Sequence, residues 1–330
     1  MEILAYGVLS DERPLLQDAL EQHRLRMLDV FLTADTAPLA AGFPVVSSSV
    51  NDTLDAGVLS LLAAGGTKLI AQRSTGFNNI DLTAAAELGL TVARVSYYSP
   101  YAVAEHAWTL ALAVNRRLTR ATTRSREFDF RLDGLMGRDI HGMTVGVIGT
   151  GKIGECFARI AAGFGTELLG WDVAENPACL ELGMTYTELP ELLSRADLVS
   201  LHVPLLPATH HLIDAAALAR MKDDAILVNS SRGGLVDSTA LVETLRAGRL
   251  SGVGLDVYEE ETGVFFTDQS IQGVTDDTLA RLVTFPQVLV TSHQAYYTRT
   301  AVGQIIDATA RNIDDFAAGR TSENTLVPKS

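Results

Sequence analysis

The stretch TVGVIGTGKIG, residues 144–154, decides the fold. Residues 145–149 are a short apolar run that reads as a β-strand. Gly149-Thr150-Gly151-Lys152-Ile153-Gly154 follows at once. A helix then opens, with Ile153, Phe157, Ile160, Ala161 and Phe164 on one face. Glycine-rich turns are common, so the pattern carries weight only in a strand–turn–helix context, which is present here. Gly149 permits the tight turn and Gly151 lets the backbone approach a pyrophosphate. Gly154 allows helix and strand to pack closely. The helix N-terminus offers unpaired N–H groups to that anion. The next strand candidate, residues 168–171, ends in Asp172, about 20 residues beyond the glycines, where a carboxylate meets an adenosine ribose. Asp172 also reads as an ordinary acidic turn residue. With the fingerprint before it, the expectation is a ribose contact that repels a 2′-phosphate, hence NAD rather than NADP.

Outward from this unit the chain alternates strands and helices. Further strands are expected near 144–149, 167–171, 197–202, 225–229, 252–256 and 288–292. Upstream, residues 3–8, 28–32, 44–47 and 67–71 read as strands, with helices over 11–22, 52–63 and 81–88. Asp81 is a plausible N-cap of the last, and Gly89 lies just past its end. Such alternation implies parallel sheets covered by helices. Residues 100–117 read as a long helix with an apolar stripe through Val103, Ala107, Leu110, Ala111 and Val114. Its basic end reads as a solvated helix terminus. Residues 258–280 look irregular. A final helix to about Ala318 is expected to return to the first unit, building it from both chain ends.

Composition narrows the function. A net charge of −14 argues against broad attraction to nucleic acid or anionic membrane. The two cysteines, Cys156 and Cys179, show no paired framework and suit a reducing cytosol. The opening MEILAYGVLS lacks the basic flank and apolar core of a signal peptide, and no run is long enough to span a bilayer. A cytoplasmic protein is expected. No His/Cys/Asp/Glu set has metal-ligand spacing, so no metal is expected.

In an open α/β sheet, ligands bind beyond the carboxyl ends of the strands. The segments there are His202-Val203-Pro204, Ser230-Ser231-Arg232-Gly233-Gly234, Asp256 through Glu261, and Ser292-His293-Gln294. A nicotinamide enzyme acting on a 2-oxo acid needs a cation for the carboxylate, a proton donor for the developing alkoxide, and a partner tuning that donor. Arg232 suits the first, because guanidinium binds carboxylate as a planar fork. His293 suits the second, because imidazole exchanges its proton near neutrality. Glu261 suits the third, because a nearby carboxylate favours imidazolium. Singly, these also read as a surface arginine, a core histidine and a solvated glutamate. Convergence at one rim favours chemistry. His106 reads as structural, and His210 and His211 as turn residues.

The chain resembles the D-isomer-specific 2-hydroxyacid dehydrogenases from about residue 1 to 325. The matching segments are RSTGFNNIDL (73–82), SPYAVAEHA (99–107), TVGVIGTGKIG (144–154), HVPLLPATHHLI (202–213), NSSRGGLVD (229–237), GVGLDVYEEE (252–261) and TSHQA (291–295). Asn78 and Ser230 stand where the family often has Asp and Thr. The resemblance implies a catalytic Arg232–Glu261–His293 set, with Glu261 rather than Glu259 as the histidine's partner. It implies nicotinamide contacts at Asp256 and Ser231, and substrate-carboxylate contacts from backbone N–H groups around Thr75 and Gly76. It implies a substrate pocket lined by Tyr98 and closed by Tyr296, D stereochemistry, and a homodimer or larger homo-oligomer. The expected cofactor set is Gly149, Gly151, Lys152, Ile153, Gly154, Asp172, His202, Val203, Pro204, Ser230, Ser231 and Asp256.

The architecture expected is α/β, with two doubly wound parallel-sheet domains flanking a cleft. A Rossmann-type NAD domain covers 100–297, and a flavodoxin-like substrate domain covers 1–99 and 298–330. The substrate pair expected is pyruvate and D-lactate. The alternatives are bulkier branched or aromatic 2-oxo acids. An NAD-sensing corepressor-like protein is the other class, but it would be expected to carry partner-binding tails, and the sequence stops soon after its last helix.

Overall fold

The computed structural model describes residues 1–326, and its chain divides into two compact units. One is Met1–Ser99 together with the chain from Thr298 onward; the other is Pro100–Tyr297. Of the stretch expected in the substrate domain, 327–330 lie outside the described residues.

The first unit begins β1 (Glu2–Ala5), α1 (Glu12–Ala19), β2 (Arg24–Met27), β3 (Val45–Ser48), α2 (Ala56–Ala64), β4 (Leu69–Gln72), α3 (Leu82–Glu87) and β5 (Thr91–Ala93). Its sheet runs β2-β1-β3-β4-β5 with every pair parallel. β3 and β4 are buried along their whole length, as central parallel strands covered on both faces must be. The edge strand departs from the sequence expectation. It forms at Arg24–Met27 rather than 28–32, because an edge needs only alternate side chains covered. α2 starts four residues later than expected. The Asp52 carboxylate is drawn away to accept from the Leu32 and Ser49 N–H groups at 2.7 and 2.6 Å. Asp55 caps the helix instead, through the Val58 N–H. Asp81 caps α3 through the Ala84 N–H, and Gly89 follows in the left-handed region.

The second unit opens with α4 (Pro100–Asn115) and α5 (Leu118–Arg126). It continues β6 (Thr144–Ile148), α6 (Lys152–Gly163), β7 (Glu167–Trp171), α7 (Pro177–Glu181), β8 (Thr185–Tyr186) and α8 (Leu189–Arg195). Then come β9 (Leu198–Leu201), α9 (Ala215–Arg220), β10 (Ile226–Asn229), α10 (Ser238–Arg246), β11 (Gly252–Leu255), α11 (Asp277–Leu282) and β12 (Val288–Val290). The sheet order is β12-β11-β10-β9-β6-β7-β8, again all parallel. The six expected strands are present, and the two-residue β8 adds an edge. α4 and α6 pack over one face, with Trp108 edge-on to Phe157 at 5.4 Å between ring centroids. Leu218, Leu241 and Leu282 belong to the core of the opposite face. The basic end of α4 is not simply solvated. The chain breaks at Arg117, whose φ is +52°, and its guanidinium donates to the Ser251 carbonyl.

The last helix, α12 (Arg299–Ala317), is capped by Thr298 and packs against α1 and β4 of the first unit. Asn312 Nδ2 donates to the Arg94 carbonyl at 2.9 Å.

Candidate active site

β6 lies between β7 and β9, where the strand order reverses, so the glycine turn sits at the sheet's switch point. Gly149 has a φ of +93°, and a Cβ there would come within 2.7 Å of the His202 carbonyl carbon. A Cβ on Gly154 would stand 1.9 Å from the Gly149 oxygen, so only glycine lets α6 leave β6 so closely. Gly151 is the N-cap of α6 with no side-chain cap, and a Cβ there would meet only open space. An uncapped helix N-terminus beside open space suits a phosphate. Ile153 is half-buried against the core, while Lys152 is exposed. Asp172 lies against the same turn, with Oδ2 accepting from the Thr150 N–H at 2.6 Å.

Around this turn, Ser231 Oγ donates to the Val203 carbonyl at 2.6 Å, tying the loop after β10 to the one after β9. Pro204 is exposed. The hydroxyl of Ser230 is buried with no hydrogen-bond partner, an orphan that a dinucleotide's polar groups would satisfy. His202 pairs with Ser200 Oγ at 2.9 Å and packs on Phe157. Burial pushes its imidazole down to about 3, so it is neutral at physiological pH. The unfolded chain protonates this histidine near 6.5, whereas the folded chain does so only near 3. Its contribution to stability is therefore complete above pH 6.5 and is lost as pH falls from 6.5 toward 3. His202→Asn should flatten the loss of urea midpoint between pH 7 and pH 4.5. Identical slopes in the two proteins would show that His202 does not carry this dependence.

The candidate catalytic side chains follow three neighbouring strands, Arg232 after β10, Glu261 after β11 and His293 after β12. His293 Nδ1 is 2.8 Å from Glu261 Oε1, and Glu261 Oε2 accepts from the Tyr258 N–H at 3.0 Å. Nε2 of His293 has no partner among the described residues, which leaves it for a ligand. Arg232 is half-buried, and its guanidinium donates to the Ser231 carbonyl at 2.7 Å. Among the described residues it forms no ion pair, so it is a cation awaiting an anion. Glu259, two residues from Glu261, turns away to His211.

Asp256, expected at the nicotinamide, is fully buried. Oδ1 accepts from Thr291 Oγ1 at 2.6 Å and the Gln294 N–H at 2.9 Å, and lies 3.2 Å from His106 Nε2. Oδ2 accepts from the Ala295 N–H at 2.8 Å. Burial pushes this carboxyl up, but bonds from His106, Thr291 and Ala295 outweigh it and hold it below its ordinary value. It thus organises the loop bearing His293, whose φ of +53° lies in the left-handed region that few non-glycine residues adopt. Sequence reading missed this hub. The only signal for it was an aspartate directly after a strand.

In the first unit, the Thr75 carbonyl accepts from Arg94 at 2.8 Å and the Gly76 carbonyl from Ser74 Oγ at 2.6 Å. The N–H groups of Thr75 and Gly76 meet no acceptor among the described residues. Tyr98 is half-buried in that unit, and Tyr296 of the second unit lies edge-on to Tyr297. Sequence spacing offered no metal set, yet the folded chain gathers His210, His211 and Glu259.

The family model for the D-isomer-specific 2-hydroxyacid dehydrogenase NAD-binding domain matches residues 108–295. The chain belongs to the D-isomer-specific 2-hydroxyacid dehydrogenases. It is 44% identical to the D-lactate dehydrogenase of Escherichia coli, over 99% of this chain and 100% of that protein. It is 38% identical to the aromatic 2-oxoacid reductase of Clostridium sporogenes, over the whole of both. The solved structure of the pyruvate reductase of Chlamydomonas reinhardtii superposes with a TM-score of 0.94 at 40% identity, covering 98% of each chain. This 2-hydroxyacid dehydrogenase is therefore an oxidoreductase of a family acting on CH–OH groups of small molecules, with NAD as cofactor. None of its helices among the described residues is long and apolar enough to cross a membrane.

Proposed function

We propose that the protein is a D-lactate dehydrogenase, interconverting pyruvate and NADH with D-lactate and NAD. The observation that carries this reading is the His293–Glu261 couple on the same sheet rim as Arg232, a half-buried guanidinium with no acidic partner among the described residues. Arg232 holds the substrate carboxylate and helps polarise the adjacent carbonyl. His293, donating from Nδ1 to Glu261, passes a proton from Nε2 to the carbonyl oxygen in reduction and takes it back in oxidation. Bound NADH supplies the hydride to the carbonyl carbon. In this reading Thr75 and Gly76, whose N–H groups meet no acceptor among the described residues, are further carboxylate contacts, and Tyr98 and Tyr296 are further substrate contacts. Lactate is favoured because near relatives are named for D-lactate and pyruvate. The relative named for aromatic 2-oxo acids supports a second reading with bulkier substrates. One methylene in an apolar pocket changes selectivity by only about 1–3 kcal/mol. A panel of 2-oxo acids assayed with NADH separates the two. Pyruvate should give the highest kcat/KM, and phenylpyruvate exceeding it would overturn the lactate assignment while leaving the family intact.

Asp172 beside the glycine turn supports a preference for NADH over NADPH. Asp172→Ala should narrow that preference. Equal kcat/KM for the two cofactors in the wild type would remove Asp172 from this role. Both cysteines are unpaired and buried, which supports a cytoplasmic location. Phe128, Phe130, Leu132 and Met136 are largely exposed in one segment of the NAD-binding unit, which supports a homodimer or larger assembly.

A further inference from the structure

The histidines of the 202–213 segment are not equivalent. His202 is neutral and packed beneath the glycine turn, whereas His210 and His211 sit beyond it, in the connection from β9 to α9. That connection is held firmly. Thr209 Oγ1 accepts from the Leu206 N–H at 2.8 Å and donates to the Pro204 carbonyl at 2.7 Å. The His211 N–H donates to the Gly234 carbonyl at 2.8 Å, and the Ile213 N–H to Leu235 at 2.9 Å. His211 takes a φ of +52°, and this backbone sets its ring against that of His210, with centroids 4.0 Å apart and planes 27° from parallel.

Glu259 reaches the same place from the loop after β11. A Cβ on Gly233 would lie 2.0 Å from the Tyr258 carbonyl carbon, so the backbone before Glu259 rests directly on the loop after β10. Glu259 Oε1 is 2.5 Å from His211 Nε2 and 4.0 Å from His210 Nε2. One ligating atom from each of the three side chains thus lies within 4.8 Å of the others.

A single histidine–glutamate hydrogen bond would satisfy His211 and Glu259. It would not account for a second imidazole nitrogen turned toward the same oxygen. Two imidazole nitrogens and a carboxylate oxygen converging on one place are three Lewis bases that one cation can bridge, displacing the proton shared by His211 and Glu259. We propose that His210, His211 and Glu259 form a binding site for one divalent transition-metal cation of the zinc class.

The donor set selects the ion. Two imidazoles and one carboxylate suit zinc and its late first-row neighbours, whereas magnesium and calcium require oxygen ligands. Zinc bonds of about 2.0–2.2 Å place tetrahedral ligand atoms about 3.3–3.6 Å apart. The separations of 2.5 and 4.0 Å straddle that range, so His211 withdraws slightly while His210 swings inward. His210 is free to do so, since its side chain is 55% exposed and makes no hydrogen bond among the described residues. Its exposure leaves the fourth position to water.

The test uses the full-length, metal-stripped protein and zinc chloride alone, followed by calorimetry at neutral pH. One equivalent should bind, and excess magnesium should not compete. His210→Ala should weaken binding by at least about tenfold, the scale on which altered metal shells act. Melting temperature without zinc should change little and NADH turnover not at all in this variant, because the exposed His210 ring makes a stacking contact with His211 and no hydrogen bond among the described residues. Glu259→Gln should weaken zinc as well, and binding should weaken in acid as the imidazoles take up protons. The His293–Glu261 pair is the competing imidazole–carboxylate site, so His293→Ala should leave the one equivalent intact. The proposal is overturned if the wild type takes up no zinc, if His210→Ala binds it as tightly as wild type, or if His293→Ala abolishes binding.

Discussion

Replacing His293 with glutamine is expected to lower kcat for pyruvate reduction by about 10²–10⁴-fold, the usual contribution of a positioned acid–base group. NADH affinity should stay close to wild type, since the glycine turn and Asp172 lie after other strands. The proton donor in the proposed reaction is Nε2, and Nδ1 is held by Glu261 at 2.8 Å. Glutamine fills much of the space but cannot carry and release a proton. Glu261→Gln completes the test. The carboxylate fixes the ring's orientation through Nδ1, so its removal should lower kcat in both directions. Glu259→Gln, in metal-free buffer, should leave kcat in place, because Glu259 faces His211. Unchanged kcat in His293→Gln, or a loss that follows Glu259 instead, would dismantle the pairing.

Arg232→Lys is expected to reduce kcat/KM for pyruvate by about 10- to 150-fold, matching the loss of one charged hydrogen bond worth about 1.5–3 kcal/mol. The charge is kept, but the planar fork is lost. Most of the change should appear as a higher KM, with a smaller fall in kcat from poorer polarisation of the carbonyl. NADH binding measured by fluorescence should be unaffected. A variant with wild-type kcat/KM would mean that the carboxylate is held elsewhere.

The order of strands and helices was legible because central parallel strands are buried on both faces and appear as apolar runs, as at Val45–Ser48 and Ile226–Asn229. Edges were harder to see. β2 carries two arginines, and β5 is only three residues long. Helix starts were legible where an aspartate caps, as at Asp81, and illegible where one is diverted, as Asp52 is to Leu32 and Ser49. Arg232, Glu261 and His293 could be read because each follows a recognisable strand. The placement of Glu261 against His293, with Glu259 turned to His211, depends on the path of a loop without periodicity. Only the family resemblance chose between the two glutamates before the geometry was known. The network around Asp256 was illegible for the same reason, since its partners come from His106 and from the distant 291–295 segment.

The return of α12 to the first unit has a consequence for synthesis. β1 to β5 leave the ribosome first, yet the helix that packs on α1 and β4 is made last. Between them come roughly 200 residues, a delay on the order of 10–40 s at about 5–20 residues per second. The inserted unit holds all its own strands and helices before that helix emerges. The unit begun first is therefore the one finished last, and its complete five-stranded sheet must wait without α12 while its neighbour folds.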